Sequence, residues 1–99
     1  MRLSGAERSS IRAAVEKRFG PKAQVLLFGS RVDDERRGGD IDLLVEVPHP
    51  IDDPLAEAVA LEIDVMRALG ERRVDVLLVY RGVEERPIHR IARKTGLRL

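Results

Sequence analysis

Val25-Leu26-Leu27-Phe28-Gly29-Ser30, nine further residues, then Asp40-Ile41-Asp42-Leu43-Leu44-Val45: the reading of this stretch decides the fold. Both apolar runs have strand character, yet Asp40 and Asp42 interrupt the second. Alternate residues of a strand point to the same face, about 6.5–7 Å apart. The two carboxylates therefore project together while Ile41, Leu43, Val45 and Val47 fill a core behind them. Like charges on one face repel and are costly to desolvate unless something positive sits between them. A hard divalent cation such as Mg²⁺, which binds through a few carboxylates and substrate phosphates, answers that need.

Gly29-Ser30 supplies the complementary half. Glycine permits a sharp turn and close approach by a ligand. Serine offers a hydroxyl and can open a helix whose free N–H groups face an anion. Residues 30–37 can give that helix turn, with Arg31 beside Ser30 and near any bound phosphate. Phosphate contacts on one side and carboxylates on the other fit a nucleoside triphosphate.

The composition bounds what else is possible. Ninety-nine residues suffice for one domain with one core. Aromatic residues are only 3%, so that core is built from Val, Leu, Ile and Ala. The absence of cysteine excludes disulfides and thiolate metal sites. No apolar signal-peptide block follows Met1, and no run approaches the ~20 apolar residues of a membrane span, so a cytoplasmic protein is expected. The net charge of +1 hides an acidic centre: residues 40–79 hold ten Asp/Glu against three Lys/Arg. Both flanking segments are basic, a distribution suited to metal binding in the middle and acidic partners outside, or simply to solubility.

Along the chain, Ser4 and Glu7 form a capping box for a helix with Ile11, Ala14, Val15 and Phe19 at helical spacing, ended by Gly20-Pro21. Strand one is expected at Ala23–Phe28 and strand two at Ile41–Val47, ended by Pro48. Between them Asp33, Asp34 and Glu35 read as solvated charges of a polar connection. Asp53 and Pro54 open a second helix with Leu55, Val59, Met66 and Leu69 on one face and Val65 beside them. Glu62 and Asp64 read as exposed carboxylates. Strand three spans Val74–Tyr80, with Tyr80 capping the core. A last helix begins at Pro87, buries Ile88, Ile91 and Ala92, and stops at Gly96, with Leu97 and Leu99 adding an extended segment. His49 and His89 lack partners at ligand spacing and read as surface residues. Three strands side by side with helices packed on them make an α/β or α+β layer fold. No repeat or linker divides the chain.

Gly29-Ser30, nine residues and Asp40-Ile41-Asp42-Leu43 resemble the signature of the nucleotidyltransferase superfamily that includes DNA polymerase β. The short members, the minimal nucleotidyltransferases, add a third carboxylate on a later strand, matched here by Asp75 in Arg73-Val74-Asp75-Val76-Leu77-Leu78-Val79. Alone, an Asp at a strand start reads as a turn residue; the family spacing makes Asp75 a ligand. The resemblance spans nearly the whole chain, with one departure: Gly39 stands where members often carry Ser before the first Asp. It implies a small mixed sheet of about three strands. It also implies two Mg²⁺ ions on Asp40, Asp42 and Asp75, with Gly29, Ser30 and Arg31 holding ATP. The third carboxylate is then the base that activates an attacking hydroxyl. For stand-alone short members it implies an antitoxin that adenylylates a Tyr of a HEPN-type toxin. Two alternatives are a non-catalytic module that occludes its partner and a small-molecule nucleotidyltransferase. Intact Gly29, Ser30 and the three Asp residues argue against the first, and the lack of residues for an added helical domain against the second. No membrane or nucleic-acid contact is expected, whereas homo-oligomers are compatible with the sequence.

Overall fold

Strand β2 (Asp40–Glu46) sets the layering, because its successive side chains go to opposite faces of the sheet. The computed structural model describes residues 3–28, 40–70 and 73–99, residue 40 in its backbone alone. Around β2 the chain runs α1 (Gly5–Phe19), β1 (Gln24–Phe28), β2, α2 (Pro54–Leu69), β3 (Arg73–Val79), α3 (Pro87–Thr95) and β4 (Leu97–Arg98). The sheet order is β3-β2-β1-β4. β1 is antiparallel to β2 and β4, and β2 is parallel to β3. Parallel neighbours need a long crossover, and α2 provides it. This is a small α+β fold with a mixed sheet: the three expected strands form, and the C-terminal extended segment adds a short fourth.

One face of the sheet carries the larger core. Ile41, Leu43, Val45 and Val47 from the β2 run meet Val25 and Leu27 of β1, Val74 and Leu78 of β3, Ile11, Val15 and Phe19 of α1, and Leu61 and Val65 of α2. Each of the four β2-run residues is at most 4% exposed. A second, smaller cluster lies on the other face, where α3 sets Ala92 against Leu26 and Leu44, with Phe28, Leu77 and Val79 half-buried around them. Tyr80 packs at the edge of the larger core.

The caps follow the sequence. Ser4 Oγ accepts from the Glu7 N–H at 3.0 Å, and Glu7 Oε1 accepts from the Ser4 N–H at 2.9 Å. Asp53 Oδ1 accepts from the Ala56 N–H, with Pro54 as first helical residue. Gly20 ends α1 with φ of +97°, where a side chain would be strained.

Other expectations are corrected. On α2 the buried residues are Leu61 and Val65, whereas Leu55 is 77% exposed and Val59 and Met66 are exposed too. Among the described residues the sheet ends at β3, and this flank of α2 is exposed. Glu62 and Asp64 are half-buried rather than merely solvated. Glu62 Oε2 accepts the Val76 N–H of edge strand β3 at 2.9 Å, and Asp64 Oδ2 accepts from Arg18 Nη2 of α1 at 2.9 Å. On α3, Ile88 and Ile91 point outward and His89, 1% exposed, takes the buried place beside Ala92. The ring can be buried because its polar edge is satisfied locally: Nδ1 accepts the Arg86 N–H at 3.1 Å, while the His89 N–H donates to the Arg86 carbonyl. His49 is exposed, as its sequence context suggests. Among the described residues no helix is long and apolar enough to cross a membrane.

Gly96 acts differently from a left-handed helix terminator, since its φ is −77°. A Cβ at this position would lie 2.5 Å from the Ala92 carbonyl oxygen and 3.1 Å from that of Leu27. Gly96→Ala is thus expected to destabilise the fold by about 1–3 kcal/mol through overpacking at the α3–β1 contact, read from urea unfolding. His89 gives a second expected outcome. Burial, then the charges of Arg86 and Arg93, hold its pKa below the ordinary 6.5, against an opposing pull from Glu85. The unfolded chain then binds a proton that the fold refuses, so stability present above pH 6.5 falls as the pH drops below it. His89→Asn keeps an acceptor at the Nδ1 position and should remove that part of the slope in urea midpoints taken between pH 7 and 5.

Candidate active site

The C-terminal end of β1 and the N-terminal ends of β2 and β3 meet at one end of the sheet. This follows from their directions and register: Phe28 is the partner of Asp42, and Asp42 is the partner of Asp75. One step further out, Asp40 is the partner of Arg73. Cross-strand partners share a face, and neighbouring strands lie about 4.8 Å apart. Asp42 and Asp75 therefore stand side by side on the face opposite the large core, the face that α3 covers only in part. Asp42 is half-buried, and Asp75 and Arg73 are exposed.

The core determines this placement. Ile41, Leu43 and Val45 bury one side of β2, so Asp42, Leu44 and Glu46 belong to the other. The same alternation on β3 sends Val74, Val76 and Leu78 to the helices α1 and α2, leaving Arg73, Asp75, Leu77 and Val79 on the side of Asp42. Leu44, fully buried against Leu26 and Ala92, gives the carboxylates an apolar floor. The far end of β2 is tied to α3 by an ion pair from Arg93 Nε to Glu46 Oε2 at 3.3 Å. Arg93 also pairs with Glu85.

Of the six residues that the sequence singles out, the structure aligns Asp40, Asp42 and Asp75 by backbone register. Gly29, Ser30 and Arg31 lie outside the described residues, as does the Asp40 side chain. Among the described residues no three His, Cys, Asp or Glu side chains gather into a metal-binding group. Two carboxylates on registered neighbouring strands, on an open face, form an oxygen donor set of the kind hard divalent cations take.

Arg73 is the residue that sequence reasoning missed. The expected strand three begins at Val74, one residue later, but Arg73 is the first residue of β3 and the partner of Asp40. Its signal was the two-residue spacing to Asp75, which puts both on one face. A guanidinium here adds a fixed positive charge and planar donors suited to phosphate oxygens.

The sequence matches the family described as nucleotidyltransferase domain over residues 8–97, a range that takes in β1, β2, β3 and the three aspartates. No curated protein matches it. From that coverage the chain belongs to the nucleotidyltransferase domain family, within the DNA polymerase β-like superfamily.

Proposed function

We propose that this protein transfers AMP from ATP to a hydroxyl group of a partner protein, with a HEPN-type toxin as the partner and a Tyr as the acceptor. The observation that carries the catalytic part is the register pairing of Asp42 with Asp75 on an open sheet face, in a chain of nucleotidyltransferase family. The choice of ATP, of a protein acceptor and of the toxin rests on the resemblance to short stand-alone members.

Asp40, Asp42 and Asp75 would hold Mg²⁺, which supplies positive charge to the triphosphate and to the oxygen charge that develops during transfer. The chain's residues do the rest. Gly29 and Ser30, which follow β1 directly in sequence, would hold the triphosphate. Arg31 and Arg73 would bind phosphate oxygens from the two sides. Asp75, the exposed carboxylate of the pair, would take the proton of the acceptor hydroxyl. The hydroxyl oxygen then forms a bond to the α-phosphorus, the bond to the bridging oxygen breaks, and pyrophosphate leaves with the electron pair.

Asp42→Asn removes one charge without altering shape. The variant should keep its circular dichroism and lose transfer by at least about 10²-fold, as when an electrostatic contact to the reacting group is deleted. The measurement is incubation with α-labelled ATP and Mg²⁺ in host-cell extract, with γ-labelled ATP as control. A protein band labelled by wild type from the α position alone establishes adenylylation and identifies the acceptor by mass. Equal labelling by Asp42→Asn would sink the carboxylate assignment. Toxin neutralisation that survives Asp42→Asn would favour simple occlusion instead.

A further inference from the structure

One flank of α2 carries Leu55, Val59, Ile63 and Met66, all exposed, at spacings of four, four and three residues. Such spacing keeps them on one continuous stripe about 16 Å long. Single exposed apolar residues are ordinary, but an aligned stripe of four is an interaction feature. Ile88, Ile91 and Leu97 are also exposed but come from two short elements and form no comparable helical seam.

We propose that the α2 stripe is a self-association surface on which a second copy of this chain packs its own α2 antiparallel, about a two-fold axis near residue 61. The stripe is self-complementary in that orientation. Leu55 then faces Met66 of the other copy, and Val59 faces Ile63, so that both halves of the seam are apolar. The charges at the ends match as well. Asp52 and Asp53 precede the helix, all exposed, and Arg67 near its C-terminus is exposed beside the stripe with no ion pair among the described residues. Antiparallel packing brings the Arg67 of each copy to the Asp52–Asp53 end of the other, and it also opposes the two helix dipoles.

The remaining charges of α2 do not disturb the seam, because each is engaged within its own chain. Glu62 turns to the β3 edge and bonds the Val76 N–H. Glu57 and Asp64 lie on the opposite flank and pair with Arg18 of α1. A parallel arrangement would instead set acidic end against acidic end. A basic or acidic partner would find no matching single-signed surface around the stripe.

Sedimentation equilibrium of the full chain across the micromolar range tests this. Wild type should be a reversible dimer. Val59→Asp puts two unpaired carboxylates at the seam centre and should weaken dimerisation at least about a hundredfold, with circular dichroism unchanged because Val59 is already exposed. Arg67→Asp should weaken it by a few-fold, more at low salt than at high salt. Adding Asp52→Arg to Arg67→Asp should restore it, while Asp52→Arg alone should weaken it. Asp53 is left intact, since it caps the helix. A monomer at every concentration, or a dimer indifferent to Val59→Asp, overturns the proposal. Loss that the double charge swap does not rescue overturns the antiparallel geometry.

Discussion

The register of β3 against β2 is the constraint on which the rest depends. Because side chains alternate strictly, a one-residue slip would turn Asp75 into the helical core and expose Val74 and Val76 in its place. The apolar side of β3 forbids that slip: Val74 and Leu78 are buried against the α1–α2 layer. Hydrophobic burial on one face thus fixes the carboxylate geometry on the other. The carboxylates themselves need contribute nothing to the alignment, and two like charges side by side would oppose it.

Edge strands are weak points of a sheet, and β3 is both an edge and a carrier of the candidate site. Glu62 addresses this by accepting an N–H, that of Val76, which β2 does not bond. A hydrogen bond to a charged acceptor is stronger than one between neutral groups. The bond pins β3 to α2 one residue beyond Asp75. Acidic residues in the middle of this chain therefore divide their roles by position. Asp42 and Asp75 stand on the open face, Glu62 holds the edge, and Asp64 joins the helices through Arg18.

Much of this was legible in the sequence, because strong local signals left little choice. Ser4 with Glu7, Asp53 with Pro54, and the apolar alternation of β2 each specify one local structure, and the structure has all three. The misreadings share a cause: apolar periodicity says which residues form a stripe, not which stripe meets the sheet. On α2 both Leu61–Val65 and Leu55–Val59–Ile63–Met66 are apolar, and only the end of the sheet at β3 decides that the first is buried. On α3 two isoleucines outweigh a histidine on any hydropathy scale. His89 is nonetheless the buried residue, because its Nδ1 finds the Arg86 N–H within its own first turn. Glu62 was unreadable for a related reason, since its partner is a backbone group fourteen residues away.

The same layering bears on where the candidate site lies. The larger core takes α1 and α2 on one face, and among the described residues the nine of α3 cover the other in part. That helix reaches Leu26 and Leu44 and is anchored by Arg93 to Glu46, at the end of β2 remote from Asp40 and Asp42. Among the described residues, no helix lies over the half of that face that carries Phe28, Asp42, Arg73 and Asp75. Covering such a face with a further surface excludes water and positions the acceptor. Here the proposed acceptor, a protein, would bring that surface with it, and its docking would both deliver the hydroxyl and dry the site. Specificity would then reside in the fit of the partner over the half-buried Asp42 and the exposed Asp75.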